Sequence, residues 1–150
     1  MNNTVLYPLV MLVAGLGIPI MAAFNSSLGA RLGNPALATT ILFTVGFMIA
    51  ILYLLSSKGI PTTLFKPSIP WYLYFGGFFV MFYILSITWI APKFGIANAV
   101  SFVLLGQLIA MSIIDHYALF GVQKFPIDAK RFIGLLFMAL GVFLVVKKAA

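Results

Sequence analysis

ALATTILFTVGFMIAILYLL, residues 36–55, runs for twenty residues without a charge. At 1.5 Å of rise per residue, a helix of that length spans about 30 Å, the thickness of a bilayer's hydrocarbon core. Pro35 suits the first position of such a helix, and Asn34 before it can cap the free amides. Read outward from there, the pattern repeats. No residue before Arg31 is charged, and 67–92 and 94–114 are charge-free as well. A shorter run, 132–146, lies between Arg131 and the Lys147–Lys148 pair, whose stems can reach the headgroups. Spans are therefore predicted over residues 5–24, 36–55, 71–90, 96–114 and 129–146. The expected fold is an all-α integral membrane protein, a bundle of five transmembrane helices, with residues 1–150 as one transmembrane domain. Helices satisfy every backbone polar group internally, which an open strand in lipid does not.

Composition agrees. Hydrophobic residues make up 63% and charged residues 7%, and the mean hydropathy is +1.17. Those values exclude a soluble globular domain. A net charge of +7 would suggest nucleic acid in a soluble protein. Here the basic residues stand at the ends of apolar runs, so the partner they imply is membrane lipid, and nucleic-acid binding is not expected. There are no cysteines, hence no disulfides. The opening MNNTVLYPLV lacks a basic n-region, so the first apolar stretch reads as a retained span.

Smaller features refine the spans. Pro19 should kink the first helix. Polar Asn25, Ser26 and Ser27 point to a loop from there to Pro35. Trp71 and Trp89 are separated by about 27 Å of helix, the spacing of the two interfacial aromatic belts. Asp128 suits a cap for the fifth helix. Gly134 and Gly141, seven residues apart, share a face and would permit close helix packing. Arg31-Leu32-Gly33 before the second span resembles Lys93-Phe94-Gly95 before the fourth, a faint internal repeat.

Basic residues decide orientation in a membrane. One face would receive Lys58, Lys66, Lys124, Lys130 and Arg131, and the other Arg31, Lys93, Lys147 and Lys148. Five against four is almost no bias. Such a chain can insert both ways and pair as an antiparallel homodimer, or take one orientation fixed by its first helix.

Intramembrane polar groups are the default functional candidates. The chain has no glutamate, one histidine and two aspartates. Asp115 falls at the C-terminal end of the fourth span, where the helix dipole disfavours an anion. A structural ion pair with Arg131 is its simplest role, and proton coupling through Asp115 or His116 the sharper alternative. At 100° per residue, Asn98, Ser101, Leu105, Ser112 and His116 form one stripe, with Gln107 roughly opposite. Tyr72, Gly76, Phe79, Tyr83 and Ser86 share a face of the third span. Thr40 and Thr44 share one of the second, and Tyr7, Met21 and Asn25 one of the first. Together these faces could line a cavity for an amphipathic or cationic organic solute. The candidate substrate-binding residues are Asn25, Tyr83, Asn98, Ser101 and Gln107; helix-to-helix hydrogen bonding is their structural alternative. No paired carboxylates, metal-ligand spacing or phosphate-binding glycine loop appears, so neither an enzyme, a metal nor a cofactor is expected.

Four stretches carry a family resemblance: NSSLGARLGNPALATTILFTVG (25–46), PWYLYFGG (70–77), PKFGIANAVSFVLLGQLIAMSIIDHYALFG (92–121) and KRFIGLLFMALGVFLV (130–145). Their most specific parts are GQ…S…IDH…G and the final R-x-x-G-x-x-x-x-x-x-G. The chain resembles the YdcZ-type small membrane proteins of the drug/metabolite transporter superfamily. The resemblance implies five transmembrane helices, a bacterial inner-membrane location and an export role. The same superfamily includes small multidrug resistance exporters, antiparallel dimers that exchange protons for cationic drugs through a glutamate in the first helix. This chain lacks that glutamate. The expected function is a small inner-membrane exporter of an organic solute, working as a dimer with dual topology. The alternative is a non-transporting scaffold subunit of another membrane protein.

Overall fold

The computed structural model describes residues 3–57 and 68–146. Lys58, Lys66, Lys147 and Lys148, which enter the charge count, lie outside the described residues. The elements are α1 (Asn3–Leu32), α2 (Pro35–Ser57), a 3-10 turn (Trp71–Phe75) leading into α3 (Gly76–Phe94), α4 (Ile96–Tyr117), a short 3-10 turn (Leu119–Gly121) and α5 (Ala129–Val145). The described residues contain no strand. Four segments are long and apolar enough to cross a membrane: Val5–Leu32, Pro35–Ser57, Trp71–Phe94 and Ile96–Tyr117. The fifth helix has 17 residues, about 25 Å of rise.

The chain forms two compact units, Met1–Pro92 and Lys93–Ala150. In the first, α1 differs from expectation at its end. It runs unbroken through Pro8, Pro19 and the polar Asn25–Ser27 segment as far as Leu32. It stays helical there because Asn25 and Ser26 turn inward, while Ser27 is exposed. Asn25 and Ser26 are buried, beside Ala22. Asn25 Nδ2 donates to Thr88 Oγ1 at 2.5 Å, Thr88 donates on to Ile84 O at 2.6 Å, and Ser26 Oγ donates to Ile87 O at 3.4 Å. One turn further on, a Cβ at Gly29 would lie 2.8 Å from Thr88 Cγ2 and 3.4 Å from the Pro35 Cα. Only glycine permits that approach, which brings together the end of α1, the start of α2 and the end of α3.

Gly33 then stops α1. It adopts φ +61°, with Gly33 N donating to Ala30 O and Asn34 N to Gly29 O, the two bonds of a Schellman ending. α2 starts at once: Asn34 Oδ1 accepts from Leu37 N at 3.0 Å, the cap the sequence suggested. The counterpart glycine of the faint repeat, Gly95, also has positive φ, +90°, between α3 and α4.

In the second unit α4 packs on α5. Asp128 caps α5, accepting from Arg131 N at 2.7 Å. Gly134 and Gly141 do not mediate the close packing expected of them. A Cβ at either would meet nothing within 4 Å.

Candidate functional site

The first unit carries a groove of about 570 Å³ between α2 and α3. Its walls include Thr39, Thr40, Phe43, Thr44 and Phe47 from α2, and Met81 from α3. The α2 residues recur at three- and four-residue spacing, so they fall on one helical face. None of the lining residues is ionisable. Thr40 Oγ1 donates to Ala36 O, and Thr44 Oγ1 to Thr40 O, each at 2.9 Å. Those hydroxyls spend their protons on the helix and keep lone pairs. Thr39 is different: it is 3% exposed, and its hydroxyl is buried without a hydrogen-bond partner. A buried unpaired hydroxyl costs about 1–3 kcal/mol, which sets Thr39 apart from Thr40 and Thr44, whose hydroxyls are satisfied by their own helix.

A second cavity, about 330 Å³, lies between α4 and α5. Ser112, Asp115, Arg131, Gly134 and Met138 are among its lining residues. The ion pair at this site answers the dipole problem of Asp115. Arg131 Nη2 donates to Asp115 Oδ2 at 2.5 Å, and Nη1 donates to Phe125 O at 3.3 Å. The side chains of Arg131 and Asp115 are 35% and 30% exposed. The backbone carbonyl of Asp115 accepts from Ala118 N and Phe125 N. His116 Nδ1 accepts from Ile127 N at 3.1 Å. Nδ1 uses its lone pair in this bond, which leaves Nε2 as the ring nitrogen that can donate. Asp115, His116 and Arg131 thus clasp the connection from α4 to α5. That connection bends sharply, with positive φ at Ala118, Phe120 and Gly121.

The remaining sequence candidates divide between the two units. Asn25 is engaged with Thr88. Tyr83 is half-buried on α3, and its hydroxyl has no hydrogen-bond partner. In the second unit Asn98 is buried and donates to Phe94 O at 2.9 Å, while Ser101 is half-buried one turn on. Gln107 is exposed near the middle of α4. Of the residues expected to line a cavity, Thr40 and Thr44 line the α2–α3 groove. Thr39, Phe43, Phe47 and Met81 were not among the candidates. Their signal was the T-T-x-x-F-T-x-x-F periodicity of residues 39–47, which reads equally well as ordinary apolar helix. Thr88 and Gly29, which fix the helices around Asn25, were also missed.

The family described as "Putative inner membrane exporter, YdcZ" matches residues 6–144. No curated protein and no solved structure matches the chain.

Proposed function

This chain belongs to the YdcZ family of inner membrane exporters, and from that premise we propose that it exports a small amphipathic organic solute bound in the α2–α3 groove. The groove carries the reading. It combines hydroxyl groups with aromatic rings and holds no charge, the composition expected of a small-molecule pocket: mostly apolar, with a few convergent polar groups. The protein is a multi-pass inner-membrane protein, and a solute entering from the bilayer need not cross an aqueous vestibule. The test is efflux from proteoliposomes of a panel of amphipathic fluorescent solutes. Phe43→Ala should cut efflux of the transported members severalfold, and equal efflux from protein-free liposomes would defeat the proposal.

The working unit in this reading is a homodimer with dual topology. Two observations support it. Loop charges are balanced five to four. Gln107 lies exposed near mid-span, with no hydrogen-bond partner among the described residues, and an amide at that depth in lipid calls for another helix. A single cysteine added after Ala150 reports orientation in an otherwise cysteine-free chain. Labelling of about half the sites by an impermeant reagent in intact cells is expected; all or none would mean a single orientation.

Asp115 and His116 hold the α4–α5 connection in this reading. Proton coupling is the competing role for Asp115. Loss of pH-gradient-driven flux in a folded Asp115→Asn protein would assign it.

A further inference from the structure

The groove between α2 and α3 has a hydrogen-bonding character that narrows what it can hold. Thr40 and Thr44 donate to their own helix, so towards a ligand they are acceptors. Thr39 has a hydroxyl proton with no acceptor. A ligand that satisfies this set carries both a donor and an acceptor on a largely apolar body. Charge narrows it further. Both carboxylates of the chain, Asp115 and Asp128, lie beyond residue 92, so the first unit offers a bound cation no counter-charge. The faces of Phe43 and Phe47 attract cations, but ring quadrupoles alone do not replace the hydration an ammonium loses. An anion fares no better, since no lining residue is basic.

We infer that the groove binds a neutral, predominantly apolar alcohol, whose hydroxyl accepts from Thr39 and donates to Thr40 or Thr44 while its body lies against Phe43, Phe47 and Met81. The inference rests on the exporter reading only for its biological sense; the site itself can be tested without transport. Thr39 Oγ1 is sealed from solvent, so binding requires its side chain to turn. Threonine in a helix has two accessible χ1 wells for this, and exchanging them moves the hydroxyl to another side of the Cα–Cβ bond. The turn breaks no hydrogen bond, because the hydroxyl makes none. The unpaired hydroxyl thereby becomes a reserve that a hydroxyl-bearing ligand satisfies and a hydrocarbon does not.

The experiment uses the full chain in nanodiscs with 13C-methyl methionine. Met81 lines the groove, and its resonance is assigned by Met81→Leu. Three probes share one ring system: 2-naphthol, naphthalene and 2-naphthylmethylammonium. We expect 2-naphthol to shift the Met81 resonance saturably, naphthalene to bind at least tenfold more weakly, and the ammonium not to compete. Thr39→Val should weaken 2-naphthol fivefold or more, leave naphthalene unchanged, and leave the free protein at least as stable. Thr39→Ser should restore most of the affinity. No saturable Met81 shift, ammonium binding as tight as naphthol, or an unaltered affinity in Thr39→Val would each overturn the inference. Flux of 2-naphthol in proteoliposomes separates the two claims. A Met81 shift without flux removes the exporter reading and leaves the site standing. Flux of the ammonium without competition at Met81 removes this site as the transport route and leaves only export by another route standing.

Discussion

The two units tie their helix ends together with different chemistry. In the first, the ties are small and uncharged: Gly29 against Thr88 and Pro35, Asn25 on Thr88, Ser26 on Ile87. In the second they include full charges, Asp115 with Arg131 and Asp128 capping α5, alongside the hydrogen bond that His116 accepts from Ile127. The location explains the difference. The Asn25–Thr88 contact is buried, where a charge would be paid for in desolvation and a neutral hydrogen bond is tolerable. The Asp115–Arg131 pair keeps about a third of its surface exposed, so it retains part of its hydration. Steric fit therefore governs the first unit and electrostatics the second, and substitutions can separate them.

The largest effect is expected where fit has no slack. Gly29→Val adds three carbons where even a Cβ lies 2.8 Å from Thr88 Cγ2, with Pro35 backbone close behind. Overpacking of this kind costs about 3 kcal/mol. The unfolding midpoint of the purified protein in detergent should fall sharply and stay equally low in high salt. A midpoint within a degree of the parent would show that the α1–α3 approach is loose.

Asp115→Asn comes next. It removes the anion from a charge-assisted pair and leaves Arg131 with the Phe125 carbonyl. The expected loss is about 1–2 kcal/mol, less than for a fully buried pair because solvent screens this one. The same loss should shrink in 1 M salt, where charges are screened over about 3 Å. A salt-independent loss would mean that shape, not charge, holds the second unit.

Asn25→Ala probes the uncharged tie directly. Thr88 keeps its own bond to Ile84 O, so no donor is orphaned. About 1 kcal/mol of stability should go, again without salt dependence. A loss that grew or shrank with salt would blur the distinction between the units.

Much of this contrast could be read from the chain. The charge-free runs located the helices, and Asn34 and Asp128 announced their caps. What escaped was the polarity of residues 25–27. Asn-Ser-Ser reads as loop because polar side chains ordinarily seek water. Inside lipid the same side chains seek another helix, and nothing local to Asn25 names Thr88, 63 residues away. Ala22, Ser26 and Gly29 do form a small-residue face at helical spacing, a signal that a tight crossing leaves in sequence. The groove was half legible. Thr40 and Thr44 were visible as a polar pair, but Thr39 stands out only once burial and the missing partner are known. Gly134 and Gly141 misled in the opposite sense, since a shared glycine face permits close packing without producing it.

The smallest expected effect is at Asp128. Asp128→Ala deletes a cap on a partly exposed helix start and should cost about 0.5–1 kcal/mol. Its value lies in what it shares with Asp115. The cap holds the backbone amide of Arg131, and the ion pair holds the guanidinium of the same residue. If the cap fixes where Arg131 projects, losing it already weakens the pair, and the Asp115→Asn/Asp128→Ala double variant loses at least 0.5 kcal/mol less than the sum of the singles. If the losses simply add, the long arginine side chain finds Asp115 without help from its backbone. We expect the first result. Arg131 also donates to Phe125 O, and a guanidinium committed to two acceptors on one side has little freedom to follow a frayed helix start. Strict additivity would recast the second unit as two independent ties that happen to meet at one residue.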